Sequence, residues 1–251
     1  MLKRRVIPVL LLRGDRCVKG THFASYRDTG NPVTAARVYN AQNADELMFI
    51  DIDATHEGRP TMLDVVERVS KECFMPFTVG GAIKNVDDIR RALHAGADKV
   101  LITTAAVENP TFIAEAAEVF GSQCVVAGID VRKEGDRYVV VTHSGRTPVD
   151  VDLVAHVKRL DELGAGELLV NAIHRDGTME GYDLELVAKV AKLTTKPVIA
   201  CGGAGTYPHL IAAFEAGAHA VSCASLFHFA DNNPIRVRAF LKNAGYPMKN
   251  V

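Results

Sequence analysis

Tryptophan is absent from the 251 residues, and aromatic side chains make up only 6% of them. Neither sign of charge is in excess, because 29 basic and 30 acidic residues leave a formal net charge of −1. Nucleic acids and anionic membranes recruit proteins through clustered basic residues, so neither is predicted as a partner. No apolar run approaches the roughly 18 residues of a membrane span. The short run behind the basic N-terminus stops at Arg13, which argues against a signal peptide.

Cysteine is sparse, odd in number and scattered, with no pair at CxxC spacing. This pattern predicts neither a disulfide framework nor a zinc site, and it indicates a reducing, cytoplasmic location. The nine histidines also lack the spacing of metal ligands, so we expect neither a metal nor another cofactor. The cysteines are Cys17, Cys73, Cys124, Cys201 and Cys223.

Segments typical of strands alternate with amphipathic, helix-like segments along the whole chain. The run from Val125 to Asp130 is apolar up to its final carboxylate, as in strands buried on both faces of a parallel sheet. Eight such units in about 250 residues predict one (β/α)8 barrel domain over residues 1–251. An open, doubly wound sheet is the alternative. The predicted strands are 5–12, 46–51, 77–79, 99–102, 124–130, 167–171, 198–200 and 220–223.

The two halves of the chain repeat each other at a shift of 121 or 122 residues. The repeat relates Glu46 to Glu167, Gly96-Ala97 to Gly217-Ala218, and Gly80-Gly81 to Gly202-Gly203. A period this long is not that of a solenoid. We therefore predict two half-barrels that close around one axis.

Paired glycines end two strands that the repeat relates, with Gly81 in the first half and Gly203 in the second. Glycines after a strand let backbone N–H groups approach an anion, and barrels often bind phosphate after strands 7 and 8. Tight turns are the simpler explanation for one pair, but two pairs in register predict two phosphate sites. The predicted phosphate-binding residues are Gly81, Thr104, Gly177, Gly203, Ala224 and Ser225.

Asp130 is the main candidate for acid–base chemistry, because barrels place catalytic groups at the C-terminal ends of their strands. Capping of the following segment is the structural alternative. The repeat aligns Asp130 with Leu11, which cannot transfer a proton. The other polar groups near strand ends are Asp51, Asp53, Asp176 and His174.

Charges of alternating sign mark the opposite ends of four strands, and we predict that they form a salt-bridged ring at the barrel bottom. These residues are Arg5, Glu46, Lys99 and Glu167. Residues 13–32 form a long polar segment without clear periodicity, which predicts a loop or lid over the mouth. Lys19 in this segment is a candidate to bind a phosphate or an oxyanion, with a solvated lysine as the alternative.

Taken together, these motifs resemble the cyclase subunits of imidazole glycerol phosphate synthases, in the histidine-biosynthesis barrel family. The resemblance runs from Arg4 to about Gly245. It is carried by Val18-Lys-Gly20, Arg27-Asp28, Ala44-Asp-Glu-Leu47, Phe77-Thr-Val-Gly-Gly81, Gly96-Ala-Asp-Lys-Val100, Phe120-Gly-Ser-Gln123, Ile129-Asp130, Gly164-Ala-Gly-Glu167, Arg175-Asp-Gly-Thr178, Gly181-Tyr-Asp183, Gly202-Gly203 and Phe227-His-Phe229.

The resemblance implies a heterodimer with a glutaminase on the bottom face, near Asp45 and Asp98. Ammonia would pass the ring of Arg5, Glu46, Lys99 and Glu167, which would act as its gate. At the mouth it would join a doubly phosphorylated ribulosyl nucleotide, giving imidazole glycerol phosphate and an aminoimidazole carboxamide ribotide. The family pattern differs at five positions, where this chain has Leu11 for Asp, Ala82 for Gly, Thr103 for Asn, His174 for Asp and Cys201 for Ser.

Two functions follow from these departures. The chain is either a cyclase whose second proton-transfer group has been replaced, or a non-cyclising paralogue. Such a paralogue would bind a glutaminase and supply ammonia to a separate amidotransferase, for example in surface-polysaccharide sugar synthesis. A phosphosugar isomerase of the sister barrel family is a distant third, because it too needs two carboxylates.

Overall fold

A computed structural model describes residues 3–249 of the chain. Its strands and helices alternate from the N-terminal strand onward, as the sequence predicts. The strands are β1 Arg5–Arg13, β2 Arg16–Thr21, β3 Ala24–Gly30, β4 Leu47–Asp51, β5 Phe77–Gly80, β6 Lys99–Ile102, β7 Val125–Glu134, β8 Arg137–Thr142, β9 Thr147–Pro148, β10 Glu167–Ala172, β11 Val198–Cys201 and β12 Ala220–Cys223.

Eight of these strands form a closed parallel barrel in the order β1, β4, β5, β6, β7, β10, β11 and β12. The circle closes where β12 pairs with β1, with Arg5 opposite Ala220. The two halves meet where β7 pairs with β10, with Asp130 opposite Asn171. This confirms the predicted α/β class, a (β/α)8 TIM barrel built from two half-barrel repeats. The predicted domain span of 1–251 includes residues 1, 2, 250 and 251, which lie outside the described range, so the span stays a prediction.

The helices pack around the barrel, and side chains at their ends fix where most of the long ones begin. Asn85, Asp152 and Asp183 each accept a hydrogen bond from a backbone N–H in the first helical turn. The helices are α1 Pro32–Ala41, α2 Ala54–Glu57, α3 Leu63–Ser70, α4 Val86–His94, α5 Thr104–Glu108, α6 Thr111–Phe120, α7 Leu153–Glu162, α8 Leu184–Ala191, α9 Tyr207–Glu215, α10 Ser225–His228 and α11 Pro234–Asn243. Within residues 3–249, none of these helices has both the length and the apolar character to cross a membrane.

Two apolar cores separate the inside of the barrel from the layer between strands and helices. The larger core lies under the helices and includes Phe49, Phe77 and Phe112. The smaller core fills the barrel itself, where side chains from neighbouring strands form a packed layer. Its members are Ile7, Val9, Met48, Leu101, Val126, Leu169, Ile199 and Ala220.

The segment 13–32, predicted to be an irregular loop, instead forms the hairpin of β2 and β3, and the prediction was wrong on this point. β2 pairs antiparallel with the end of β1, and β3 pairs with β2. The turn between β2 and β3 has positive φ at both His22 and Phe23, as a two-residue hairpin with a type I′ turn requires. The polar sequence hides this strand, because a lysine in such a segment is expected to be solvated, whereas Lys19 is 2% exposed.

A second hairpin follows β7 in the other half-barrel, and it extends the internal repeat beyond the glycine pairs. β7 runs past Asp130 to Glu134 and pairs with β8. The turn after β8 has positive φ at three successive residues, His143, Ser144 and Gly145. The first two lie 121 positions after His22 and Phe23. Both half-barrels therefore carry a strand pair that rises from the mouth.

Candidate active site at the barrel mouth

The C-terminal ends of the barrel strands surround a cavity of about 310 Å³, within the range of small-molecule sites. The structure brings the main acid–base candidate, Lys19 and all six predicted phosphate-binding residues into its lining. These are Asp130, Lys19, Gly81, Thr104, Gly177, Gly203, Ala224 and Ser225. They meet because the carboxyl ends of parallel strands lie on one face of a barrel. Their individual roles stay predictions.

Two subsites lie at opposite ends of this cavity. The first subsite consists of Gly81, Ala82 and Thr104, and the second of Gly203, Ala204 and Ser225 with Gly177 and Ala224. Gly81 and Gly203 share a left-handed backbone, with φ of 106° and 108°. A Cβ on Gly81 would lie 2.3 Å from the backbone oxygen of Asp51, and a Cβ on Gly203 would lie 2.1 Å from that of Gly181. Both turns therefore require glycine.

Asp130 lies between the subsites and has a polar neighbour across the β7–β10 pairing. Asn171 donates a hydrogen bond from Nδ2 to Oδ1 of Asp130 at 3.0 Å. Burial raises the pKa of Asp130 to about 6, although the Asn171 hydrogen bond opposes this shift. A carboxyl group with this pKa can both accept and release a proton near neutral pH. The geometry suits general acid–base catalysis better than the capping alternative.

Leu11 faces the same cavity and extends the apolar layer of the barrel interior into the mouth. Ile50 on the neighbouring strand does the same. The cavity thus has an apolar side on β1 and β4 and a polar side with Asp130 and Asn171 on β7 and β10. Asp130 therefore has no acid–base partner at position 11, which the repeat aligns with it.

Two of the carboxylates near strand ends are held in ion pairs with arginine. Asp51 binds Arg59 through two hydrogen bonds, of 2.6 and 3.0 Å. Its side chain is fully buried and also accepts the backbone N–H groups of Ala54 and Met62. Asp53 binds Arg13 at 2.8 Å. Neither carboxylate is free to replace an acid or base opposite Asp130.

The other two candidates are also engaged. Asp176 binds Lys19 Nζ through both oxygens, at 2.8 and 3.0 Å, and this Nζ also donates to the carbonyl of Gly20. Lys19 is therefore not solvated, and its charge is neutralised before any ligand arrives. His174 does not line the cavity, and its Nε2 lies 2.9 Å from Asp183 Oδ2.

Burial also affects two other titratable groups in the lining. Burial raises the pKa of Cys201 to about 12 and that of Tyr26 to about 12, so both are neutral at physiological pH. His143 also lines the cavity, on the side of the first subsite, where its backbone N–H donates to Thr104 Oγ1 at 3.1 Å. The sequence analysis did not single out this imidazole, because it sits in a hairpin turn that was not predicted.

At the opposite end of the barrel, the four predicted ring residues enclose the axis. Arg5 binds Glu46 at 2.5 Å and Glu167 at 2.6 Å. Lys99 binds Glu167 at 2.5 Å and Glu46 at 3.3 Å, which completes the cycle. Burial alone would raise the pKa of Glu167, but Arg5 and Lys99 outweigh it and lower that pKa. The predicted ring is present, and its role as an ammonia gate stays a prediction.

The two acidic residues predicted to face a partner differ in accessibility. Asp98 is exposed on the bottom rim, and one carboxylate oxygen accepts the backbone N–H of Phe77. Asp45 is only 3% exposed, accepts the N–H of Val6 at 2.9 Å and lies 3.4 Å from Arg238. Its carboxylate therefore serves the fold, and Asp98 is the better candidate for contact with a partner.

Asn171 and Arg59 also belong to this site, and the sequence analysis did not single them out. Asn171 ends the predicted strand 167–171 with a polar residue, as Asp130 ends its own strand. This shared position at a strand end could have identified Asn171 from the sequence. Arg59 lies eight residues after Asp51 in a polar stretch, and only the folded loop brings its guanidinium back to the carboxylate.

No group of three or more His, Cys, Asp or Glu side chains within residues 3–249 is arranged to hold a metal ion. A closed parallel barrel with a cavity at the strand C-termini defines a TIM-barrel protein whose site lies at the mouth. The family described as histidine biosynthesis protein matches residues 5–233. The chain belongs to this family, which confirms the resemblance to a histidine-biosynthesis barrel.

Proposed function

We propose that this chain is a cyclase-type subunit that receives ammonia from a glutaminase and uses it on a phosphorylated substrate at the barrel mouth. One observation carries the proposal. The closed ring of Arg5, Glu46, Lys99 and Glu167 lies at one end of the barrel, and the Asp130 cavity lies at the other. A glutaminase on the bottom rim, near Asp98, would release ammonia next to the ring.

Ammonia would cross the barrel as the neutral molecule. The interior between ring and cavity is lined by apolar side chains, including Ile7, Val126 and Leu169. Such walls strongly disfavour a cation and only weakly disfavour a small neutral molecule. The ring would open between Lys99 and Glu46, because their contacts are 3.3 Å long, whereas Lys99 binds Glu167 at 2.5 Å.

At the mouth, ammonia would react with a doubly phosphorylated ribulosyl nucleotide held between the two subsites. Asp130 would accept or donate one of the protons that ring closure transfers. The products would be imidazole glycerol phosphate and an aminoimidazole carboxamide ribotide. The chain needs a second proton-transfer group for full rate, because one catalytic carboxylate typically contributes a factor of roughly 10² to 10⁴.

A second candidate function is ammonia delivery without cyclisation, to a separate amidotransferase. Leu11 favours it, because this side chain belongs to the apolar layer. Asp51, Asp53 and Asp176 favour it too, because each is bound to a cation of this chain. In this case the mouth would release ammonia or bind a different acceptor.

One assay separates the two functions. The purified chain is supplied with the ribulosyl nucleotide and ammonium at high pH, where free ammonia needs no glutaminase. Imidazole product at the rate of an ordinary cyclase supports the first function, and Asp130→Asn should then abolish it. Two results together support the second function. The chain forms no imidazole product, and it raises the rate of glutamine hydrolysis when it is mixed with a glutaminase from the same genome. Asp98→Arg should reduce that stimulation.

A further inference from the structure

Among the described residues, one imidazole lines the cavity, and the reaction proposed above does not use it. We infer that this side chain, His143, is the second proton-transfer group of the mouth and acts as the base when ammonia adds to the substrate. The inference rests on the proposed cyclase function, because it names a residue for that reaction. It gives the role to the turn after β8 rather than to β1, where Leu11 lies.

The other titratable groups in the lining are less suited to accept a proton. Asp51 and Asp176 are bound by cations of the chain. The raised pKa values of Cys201 and Tyr26, both about 12, keep these side chains protonated. Lysine and arginine side chains ordinarily carry their protons at neutral pH and have no lone pair to offer. An imidazole is the side chain that ordinarily accepts and releases a proton in this range.

A short chain of hydrogen bonds determines which nitrogen of His143 is free. The hydroxyl of Thr142 donates to the carbonyl of Thr147 at 3.4 Å and lies 3.1 Å from Nδ1 of His143. A hydroxyl that has given its proton to a carbonyl can only accept from the imidazole, so Nδ1 carries the ring proton. Nε2 then holds the lone pair, as a general base requires.

A carboxylate next to Nε2 stabilises the protonated form of this imidazole. Glu108 Oε1 on α5 lies 3.7 Å from Nε2, which is beyond hydrogen-bond distance but within the range of electrostatic attraction. The positive charge that the ring gains with a proton is therefore favoured, as in other bases that a third group supports. The other charged groups that line the cavity near the first subsite are Lys84 and the ion pair of Asp51 and Arg59.

The turn after β8 holds the imidazole at the cavity. The backbone N–H of His143 donates to Thr104 Oγ1, and its φ of 51° is one that histidine adopts more readily than most residues. The side chain is 37% exposed, so its ring is open to a ligand. The equivalent residue of the other half-barrel, His22, has the same φ but is not among the described residues that line the cavity.

Two groups are needed because the addition of ammonia to the ribulosyl carbonyl moves two protons. The attacking nitrogen keeps the electrons of one N–H bond, and Nε2 of His143 takes the proton. Asp130, whose pKa is about 6, gives a proton to the carbonyl oxygen, which becomes a hydroxyl. When this hydroxyl leaves as water and C=N forms, the imidazolium gives its proton to the departing oxygen. The Asp130 carboxylate takes a second proton from nitrogen, so both side chains end as they began.

The test compares His143→Asn with the matched control His22→Asn in the full chain. Asparagine tolerates the left-handed backbone of both turns but cannot act as the base. Each variant is supplied with the ribulosyl nucleotide at a fixed concentration of free ammonia between pH 6 and 9, and imidazole glycerol phosphate is measured. We expect His143→Asn to lower kcat by roughly 10² or more with little change in KM, and to lose the acidic limb of the kcat profile. His22→Asn should keep the rate and the profile of the unaltered chain.

An unchanged kcat for His143→Asn would overturn the inference and leave the proposed cyclase function intact. No product from the unaltered chain at any pH would remove the cyclase function and this inference with it. If His143→Asn does not fold, Glu108→Gln decides, because this side chain is exposed and its loss should not affect folding. Without the carboxylate, the acidic limb should move to lower pH by roughly 0.7 unit, and a limb that stays in place would overturn the inference.

Discussion

Leu11 and Asp130 show how one side chain sets the chemistry of a whole cavity. Both line the mouth, and only Asp130 can exchange a proton. The neighbouring carboxylates cannot compensate, because each is held by a cation of the same chain. At this scale, the proton-transfer capacity of the site depends on which groups are left unpaired.

Restoring a carboxyl group at position 11 tests this dependence. Leu11→Asp should raise a low cyclisation rate by roughly 10² or more, the usual contribution of one positioned acid or base. Leu11→Asn is the matched control, because asparagine has nearly the same shape as aspartate but cannot transfer a proton as a carboxyl group does. Product formation from ribulosyl nucleotide and ammonium measures both. Equal rates for the two variants would mean that the substrate pocket itself has changed.

Asp130 should also make the free energy of unfolding depend on pH. Its pKa of about 6 lies above the ordinary value because burial disfavours the charged form. The folded state therefore binds this proton more tightly than the unfolded chain, and the corresponding stability is lost as the pH rises from about 4 through 6. Asp130→Asn cannot ionise. Between pH 4 and 7, the unaltered chain should lose at most about 3 kcal/mol relative to this variant in urea unfolding.

At the scale of elements, the hairpin of β2 and β3 is held over the mouth by one buried ion pair. Lys19 binds Asp176 at 2.8 Å, with side chains 2% and 13% exposed. The hairpin also donates the N–H of His22 to the carbonyl of Asp176. These contacts connect the first half-barrel to the second across the cavity.

Breaking that pair should loosen the hairpin. Lys19→Met leaves the Asp176 carboxylate without its cation, which should cost about 3 kcal/mol and speed proteolysis between residues 13 and 32. The double variant Lys19→Met with Asp176→Asn should recover part of the loss. Arg16→Met removes an exposed pair with Asp28 on the same hairpin and should change little. Equal effects of the two single variants would contradict the role given to Lys19.

At the scale of the whole molecule, the bottom ring joins strands from both half-barrels. Arg5 bridges Glu46 and Glu167, which come from different halves of the repeat. Arg5→Met should therefore cost about 3 kcal/mol at pH 7, because it leaves two carboxylates for Lys99 alone. The lowered pKa of Glu167 means that this stabilisation exists above the ordinary glutamate value and is lost as the pH falls.

Urea unfolding of Arg5→Met at pH 7 and pH 4 measures this difference, and the loss should shrink at the lower pH. Arg37→Met, which removes an exposed pair with Glu72, is the control and should show little change at either pH. A loss for Arg5→Met that does not depend on pH would indicate that packing of its stem, rather than the ring, is responsible.

The sequence by itself determined the eight barrel strands, the half-barrel repeat and the alternating charges of the ring. These features follow from local patterns, because a strand buried on both faces must be apolar along its length and its polar residues must lie at its ends. The mouth residues could be predicted for the same reason, since parallel strands bring their carboxyl ends to one face.

Only the tertiary structure decided which of those polar groups remain free. The pairing of Lys19 with Asp176 and the hydrogen bond from the Ala82 amide to Thr55 join residues from separate loops. The pairing of Arg59 with Asp51 depends on how one loop folds back on its own strand. Asn171 reaches Asp130 only because β7 and β10 are neighbours. Hydrogen bonds and ion pairs depend on distances of a few ångströms between distant parts of the chain, and the spacing of residues in a sequence does not encode such distances.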